Sequence, residues 1–165
     1  MKTRKILSLI SALVFALAAP ASLAEGLALT DMAGREITLD APATRVIALN
    51  PADCEILYAL GAEDVLVGRG EYCNYPEAVL ELPSVNSGAE TNIEQILALE
   101  PDVIVMSKMA QTVEQVEALE AAGVRVVISD AQNLAGVYDA IAMLGELTGQ
   151  TEKAEELASW CEDTY

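Results

Sequence analysis

Histidine is absent from this 165-residue chain, and tryptophan and phenylalanine occur once each. Without an imidazole the chain cannot form a Ser-His-Asp or Cys-His catalytic group, because both use histidine as the proton acceptor. The commonest metal ligand is missing for the same reason. The sequence also has no Gly-x-Ser-x-Gly turn, no phosphate-binding Gly-x-x-x-x-Gly-Lys loop and no zinc-type cysteine pairing. The commonest hydrolytic mechanisms are therefore excluded.

Basic residues are also scarce, with nine Lys and Arg against 26 Asp and Glu. Every acidic residue follows position 24, so residues 25–165 carry six basic and 26 acidic residues, a net charge of −20. Such a chain repels phosphate backbones and anionic lipid surfaces. The sequence therefore predicts no nucleic-acid partner. The acid excess indicates either a solvated surface or a role in binding cations.

The first 24 residues have the pattern of a secretory signal peptide. Three basic residues lie within the first five positions, residues 6–19 are apolar, and residues 22–24 (Ser-Leu-Ala) form a small-x-small site. Cleavage there would make Glu25 the mature N-terminus. A membrane anchor is the alternative, but the apolar run is shorter than the ~20 residues that span a bilayer. We expect a periplasmic or secreted protein with no membrane insertion after cleavage.

Beyond residue 25, apolar runs of strand length alternate with helical patterns. Residues 27–39 alternate around Asp31-Met32-Ala33-Gly34 and predict an antiparallel hairpin. The later predicted strands are residues 46–50, 65–67, 103–106 and 124–128, and the predicted helices are residues 51–60, 92–98, 113–122, 134–147 and 151–160. This alternation predicts the α/β class, with a parallel Rossmann-like sheet flanked by helices and an N-terminal β-hairpin.

Two of the three cysteines follow neighbouring predicted strands. Cys54 lies in the first turn after the strand at 46–50, and Cys73 lies in the loop after the strand at 65–67. Parallel neighbours place both at one edge of the sheet, so we predict a Cys54–Cys73 disulfide that closes a loop of about 20 residues and stabilises by roughly 3 kcal/mol. Two separate thiols are the alternative. Cys161 has no assigned partner.

Four short motifs carry a family resemblance over roughly residues 28–160. They are residues 51–55 (Pro-Ala-Asp-Cys-Glu), 72–76 (Tyr-Cys-Asn-Tyr-Pro), 92–96 (Asn-Ile-Glu-Gln-Ile) and 99–104 (Leu-Glu-Pro-Asp-Val-Ile). In this order and spacing, they resemble the first lobe of the ABC-transporter substrate-binding proteins that carry cobalamin, haem or iron-siderophore complexes.

The resemblance implies a two-lobe receptor, without chemistry and without a cofactor, that delivers a chelated metal or corrinoid to an ABC permease. Members that bind naked zinc or manganese use histidines, so any metal here is expected to arrive inside a chelate. Residues 1–24 would be the signal peptide, 25–148 the N-terminal lobe, and 149–165 the start of the inter-lobe helix, poorly anchored without a second lobe. The alternative is an exported enzyme or redox module, for which Gly68-Arg69-Gly70 is only a partial dinucleotide fingerprint.

Ligands of open parallel sheets gather outside the carboxyl ends of the strands. The loops expected there are residues 50–53, 69–72, 87–89, 107–109 and 130–132. The candidate ligand-binding residues are Asn50, Asp53, Arg69, Tyr72, Ser87, Ser107, Lys108 and Asp130.

The resemblance assigns Tyr72 to the cleft-facing aromatic position, where it would stack on a corrin or porphyrin ring. Arg69 and Lys108 would meet anionic groups of a ligand. The alternatives are a half-buried loop tyrosine and two solvated charges. Ser107 stands where the cobalamin binders place a tryptophan, which argues against tight cobalamin stacking. Glu114 is the candidate for permease docking, with a solvated helix face as its alternative.

Overall fold

A computed structural model of the chain describes residues 26–87, 91–108 and 112–164. The predicted signal peptide lies outside the described residues, as do Ala89 and Met109 at the ends of two predicted ligand loops. The strands are β1 (Leu27–Thr30), β2 (Glu36–Leu39), β3 (Val46–Ala48), β4 (Leu66–Gly70), β5 (Ser84–Val85), β6 (Val103–Met106) and β7 (Arg125–Ile128). The α-helices are α1 (Pro51–Ala59), α2 (Ile93–Ala98), α3 (Val113–Ala121), α4 (Leu134–Thr148) and α5 (Thr151–Thr164), with short 3₁₀ helices at Glu63–Val65 and Glu77–Glu81.

The predicted fold class is confirmed. Five strands form one parallel sheet in the order β5-β4-β3-β6-β7, and β1 and β2 form a separate antiparallel hairpin. From β3 the chain proceeds outward to β4 and β5, then returns to add β6 and β7 on the other side of β3. The strand order therefore reverses between β3 and β6, and a crevice at the carboxyl ends of these two strands is where such sheets bind ligands.

Two apolar layers cover the sheet. On one face, α1, α4 and the hairpin pack against alternate residues of the strands, and α2 and α3 contribute to the layer on the other face. All four residues of β6 are buried because helices cover both faces of this interior strand. The continuous apolar run at 103–106 is the sequence signature of that environment.

The hairpin turn also covers the outer edge of β7. The Asp31 carboxylate accepts hydrogen bonds from the backbone N–H groups of Arg35 and Ile128, at 2.9 and 3.1 Å. The Met32 N–H donates to the Ile128 carbonyl at 3.0 Å, and the Arg35 guanidinium forms a 2.8 Å ion pair with Asp31. These bonds occupy backbone groups that an exposed edge strand would otherwise leave unpaired.

Side chains at the helix starts explain where the helices begin. Asn50 accepts from the Ala52 N–H at the start of α1, and Asn92 accepts from the Gln95 N–H at the start of α2, as predicted. Thr112 and Asn133 cap α3 and α4 in the same way. The end of α1 is also as predicted, with Gly61 at φ 68°, a conformation that glycine adopts without strain.

Three features differ from the sequence predictions. The two-residue strand β5 was not predicted, because a segment so short carries no periodicity. Val113 was expected on the apolar stripe of α3, yet 69% of it is exposed, and only Leu119 of that stripe is fully buried.

The third difference is the anchoring of the last helix. α5 runs to Thr164 and packs against α4 instead of being poorly anchored. The two helices approach closely where Ala154 meets Gly145, at which a Cβ atom would overlap the Ala154 methyl group. Within the described residues, no helix is long and apolar enough to cross a membrane.

Candidate functional site

The candidate ligand loops lie together at one edge of the molecule. Because the five strands are parallel, the segments that follow them all begin at the carboxyl edge of the sheet. The hydrogen bond between Ser129 after β7 and Asp53 at the start of α1 spans the end of β6, which lies between β3 and β7. The structure thus places the loops that carry the predicted site residues along the carboxyl edge of the sheet, whose strand order reverses between β3 and β6.

Two tyrosines are the large exposed side chains of the loop after β4. Tyr72 is 68% exposed and Tyr75 is 66% exposed. A half-buried position was the alternative for Tyr72, and the observed exposure instead leaves its ring free to contact a ligand. Tyr75 is not among the residues predicted from the sequence, although the second tyrosine of the motif at residues 72–76 is the feature that could have identified it. Together they give this loop an aromatic surface suited to flat, apolar ligands.

Arg69 stabilises this loop from within. Its guanidinium donates to the carbonyl oxygens of Gly70 and Cys73 at 3.2 and 3.1 Å, and lies 3.5 Å from that of Glu71. The side chain is partly buried, and its Nε is buried without a partner among the described residues. Arg69 therefore fixes the conformation of the tyrosine loop. Because one guanidinium nitrogen is used for these carbonyl oxygens, only the other two nitrogens are left for the predicted contact with an anionic ligand.

The remaining loop residues have mixed environments. The Lys108 ammonium is exposed and donates to the Met32 carbonyl at 3.0 Å. Ser107 and Lys108 line a pocket of about 280 Å³ between the hairpin turn and the start of α3. The Asp130 side chain is half-buried, and the Ser87 N–H lies 3.5 Å from the Glu71 carboxylate.

The two cysteines of the predicted disulfide are free thiols in the structure. Both are fully buried, and both thiols lie against the Ala48 carbonyl oxygen, Cys54 at 3.7 Å and Cys73 at 3.6 Å. The hydrogen bond with the Cys73 thiol and the burial of the site raise the pKa of Cys54. The predicted neighbourhood is thus present, while the covalent bond is not formed. Cys161, on α5, is also free.

Asp53 is the most perturbed carboxyl group of this edge. It is 1% exposed, and its Oδ1 accepts a 2.6 Å hydrogen bond from the Ser129 hydroxyl, 76 residues away in the chain. Burial raises the pKa of Asp53 from 3.8 to about 7, and the nearby Ser129 hydroxyl and Asn50 side chain offset only part of this rise. Ser129 was missed by sequence reasoning, although it is the first polar residue after the apolar strand at 124–128.

Glu114 lies in the first turn of α3 and is fully solvent-exposed. Its own backbone N–H and the Thr112 hydroxyl lower its pKa, so the side chain is a carboxylate at neutral pH. The structure thus presents a charged group at the position considered for docking.

The two glycines of β4 are explained by packing. A Cβ atom at Gly70 would overlap the Leu49 carbonyl oxygen, and one at Gly68 would lie 2.7 Å from the Leu99 side chain. These glycines allow β4 to approach its neighbours, a role that needs no dinucleotide. Within the described ranges, no group of three or more Cys, Asp or Glu side chains is arranged to hold a metal ion.

The chain matches one protein-family model and is similar to several known proteins. The family model described as "Periplasmic binding protein" matches residues 46–165. An uncharacterised ABC transporter substrate-binding lipoprotein of Bacillus subtilis is 32% identical over 130 residues, which are 77% of this chain and 41% of that protein.

Two solved structures resemble the fold. The periplasmic vitamin B12 binding protein of Vibrio cholerae gives a TM-score of 0.68 at 33% identity, over 74% of this chain and 48% of that one. A periplasmic haem-binding protein of Pseudomonas aeruginosa gives a TM-score of 0.70 at 29% identity, over 73% and 44%. The chain spans less than half the length of the proteins it matches.

Proposed function

Because this chain belongs to the periplasmic binding protein family, we propose that it is an extracytoplasmic solute-binding protein that delivers a corrinoid or another chelated-metal ligand to an ABC import permease. Binding and release without chemistry is the proposed activity. The relatives in this family are binding proteins, among them vitamin B12-binding and haem-binding proteins, and one is assigned to an ABC transporter. Cobalamin, haem and ferric siderophores all remain ligand candidates.

The observation that carries this proposal is the carboxyl edge of the sheet. The loops after the parallel strands converge there, and the loop after β4 presents the exposed rings of Tyr72 and Tyr75. A corrin or porphyrin ring is a broad, flat surface, and stacking on a tyrosine contributes about 1 kcal/mol beyond simple burial. Arg69 holds that loop through three carbonyl oxygens, which reduces the entropy lost when a ligand orders it.

Titration with cyanocobalamin, ferric haem and a ferric hydroxamate siderophore tests the proposal. Quenching of the intrinsic fluorescence should saturate with one of the three. Tyr72→Ala should then weaken binding by about tenfold, the equivalent of ~1.4 kcal/mol. Leu80→Ala is the control, because Leu80 is half exposed but lies in the 3₁₀ helix at Glu77–Glu81, close to the start of β5 and therefore toward the opposite, amino edge of the parallel sheet. Failure of all three ligands to quench would contradict the proposal.

We further propose that residues 25–148 form one lobe of a two-lobe protein, with residues 149–165 beginning the helix that leads to the other. Support comes from the chain spanning less than half the length of its relatives. A ligand enclosed between two lobes takes its free energy from both, and losing about 4 kcal/mol weakens binding roughly a thousandfold. Residues 25–165 alone should therefore bind with a dissociation constant of ~100 µM or weaker, and calorimetry that gave a nanomolar constant would contradict this.

We also propose roles for residues 1–24 in export and for Glu114 in docking to the permease. Residues 1–24 would direct export, so that the mature protein acts in the periplasm or outside the cell. The exposed carboxylate of Glu114 would pair with a basic residue of the permease. Glu114→Lys should then lower ligand uptake without changing ligand affinity, whereas Glu94→Lys, in the first turn of α2, should leave both unchanged.

The alternative of an exported enzyme or redox module gains nothing from the structure. The two adjacent thiols are fully buried, which keeps them from substrates. The glycines of the partial dinucleotide fingerprint are explained by strand packing.

A further inference from the structure

A small pocket lies between the starts of α1 and α4, at the carboxyl edge of the sheet. Its volume is about 250 Å³. Its lining residues come from the first turns of α1, from the segment after β7 and from the first half of α4: Asn50, Ala52, Asp53, Glu55, Ile56, Ser129, Ala131, Val137 and Ala140.

Burial along the lining shows which end of the pocket is deep. Asp53 and Ser129 are 1% and 2% exposed, whereas Ala52, Glu55 and Ala131 are exposed. The mouth therefore lies beside the loops that follow β3 and β7, next to the point where the strand order reverses. The deep end is the polar Asp53–Ser129 pair.

The deep end has an acceptor in excess. The Ser129 hydroxyl gives its only proton to Oδ1 of Asp53, and Oδ2 of Asp53 is buried without a hydrogen-bond partner among the described residues. None of the lining residues is Lys or Arg, and the other acidic lining residue is Glu55. The Asn50 amide is near enough to Asp53 to lower its pKa, yet it makes no hydrogen bond to Oδ2. A buried carboxyl oxygen without a donor costs free energy, so the pocket is set to gain from any group that brings one.

The walls restrict the size and shape of that group. Side chains of Ile56, Val137 and Ala140 are apolar and border the polar pair. An N–H donor on a short apolar stem would place its stem against these side chains and its nitrogen at Oδ2. When Asp53 is ionised, a carboxylate on the same stem would bring a second acceptor to an acceptor and would leave both unpaired.

We propose that this pocket is a ligand subsite for a primary carboxamide or ammonium group on a short apolar stem, with Oδ2 of Asp53 as the acceptor. The inference deepens the proposed function and rests on it where it concerns the ligand. Corrinoids carry short carboxamide arms, whereas haem carries propionates. The subsite therefore favours a corrinoid over haem.

Propionamide and propionate test this directly, because they have the same shape and differ in whether they can donate. The titrations follow the methyl resonances of Val137 and Ala140 by NMR at about pH 8, above the pKa of about 7 of Asp53, so that its carboxylate is ionised. Propionamide should shift both resonances and saturate in the millimolar range expected of so small a ligand. Propionate at the same concentrations should shift neither.

Asp53→Asn should reverse this preference. If the asparagine oxygen keeps the bond from Ser129, its amide N–H₂ faces the pocket, and propionate should then shift the methyl resonances more than propionamide does. Glu94→Gln is the matched control, since Glu94 is an exposed carboxylate in the first turn of α2, and it should leave the wild-type preference intact. Ser129→Ala is a second variant, because it frees Oδ1 as well and should bind propionamide at least as tightly as the wild type.

Equal shifts from the two probes would show that the pocket does not select a donor, and no saturable shift in the wild type and Ser129→Ala would show that it binds neither probe; either result would overturn the inference. The ligand titrations separate this from the proposed function. If propionamide binds selectively while cyanocobalamin, ferric haem and the siderophore all fail, the subsite stands and the proposed function fails. If cyanocobalamin binds and neither propionamide nor Asp53→Asn has an effect, the function stands and the subsite fails.

Discussion

Replacing the buried Asp53 by asparagine should change how the stability of the protein depends on pH. Burial, only partly offset by Ser129 and Asn50, raises the pKa of Asp53 from 3.8 to about 7 in the folded state. Below a pH of about 4 the carboxyl is protonated in both the folded and the unfolded chain, so it does not affect their balance. Between these two pKa values the unfolded chain releases the proton first, and the free energy of unfolding falls as the pH rises.

The size of the effect follows from the shift. Each unit of pKa difference corresponds to about 1.4 kcal/mol, so the ionised carboxylate costs the folded state about 4 kcal/mol above a pH of about 7. From about pH 5 to about pH 8 the wild type should lose ~3 kcal/mol relative to Asp53→Asn, whose amide does not titrate. Other carboxyl groups titrate in both proteins and cancel in the difference.

Urea unfolding, followed by far-ultraviolet circular dichroism at several pH values, measures this difference. Glu55→Gln is the control, because Glu55 lies two residues further along the same helix but is exposed. Because Glu55 is exposed, water hydrates its carboxylate in the folded and the unfolded chain alike, so this variant shows the effect of removing a carboxylate that is not buried. A difference curve for Asp53→Asn that is flat, or that rises in the opposite sense, would refute the argument that burial dominates the titration of this carboxyl group.

Three further predictions concern packing, redox state and processing. Gly70→Ala should lower the free energy of unfolding by about 2–3 kcal/mol, because a Cβ atom there overlaps the Leu49 carbonyl oxygen; urea unfolding measures the loss. Cys54 and Cys73 should form a disulfide when the exported protein is oxidised, since both thiols lie against one carbonyl oxygen; a non-reduced digest should yield the two peptides linked. The secreted protein should begin at Glu25, which N-terminal sequencing determines.

Each of these three predictions has a control or a result that would contradict it. Gly34→Ala is the control for Gly70→Ala. Gly34 has open space around it and a φ of 77°, so this variant measures the cost of backbone strain without steric overlap. Cys161 provides an internal free thiol, and labelling of all three cysteines in the oxidised protein would contradict the bridge. A Met1 N-terminus in membrane fractions would show that the first segment is an anchor.

Most secondary structure could be predicted because its causes are local. The asparagines at 50 and 92 accept from backbone N–H groups two or three residues ahead, and Gly61 adopts a positive φ within its own turn. The run at 103–106 is apolar throughout because both of its faces are covered. In the same way, the parallel arrangement follows from alternation, which leaves few other ways to bury these helices and strands.

The environments of the site residues could not be predicted, because each depends on partners distant in sequence or on backbone conformation. Arg69 was considered as a ligand contact, yet the folded loop turns its guanidinium toward carbonyl oxygens of the same loop. Val113 has the residue type of a core position, but it begins a helix whose buried contact comes only at Leu119.

The sequence by itself determined the fold class, the family and the edge of the sheet where a ligand would bind, since composition, periodicity and short motifs are properties of local segments. Only the tertiary structure decided what that edge can do chemically. It brings Ser129 to Asp53 across 76 residues, buries the carboxyl group with one oxygen unpaired, and exposes the ring of Tyr72. Burial and long-range hydrogen bonding arise only when the strands assemble, and these two effects set the pKa and the donor preference of the site.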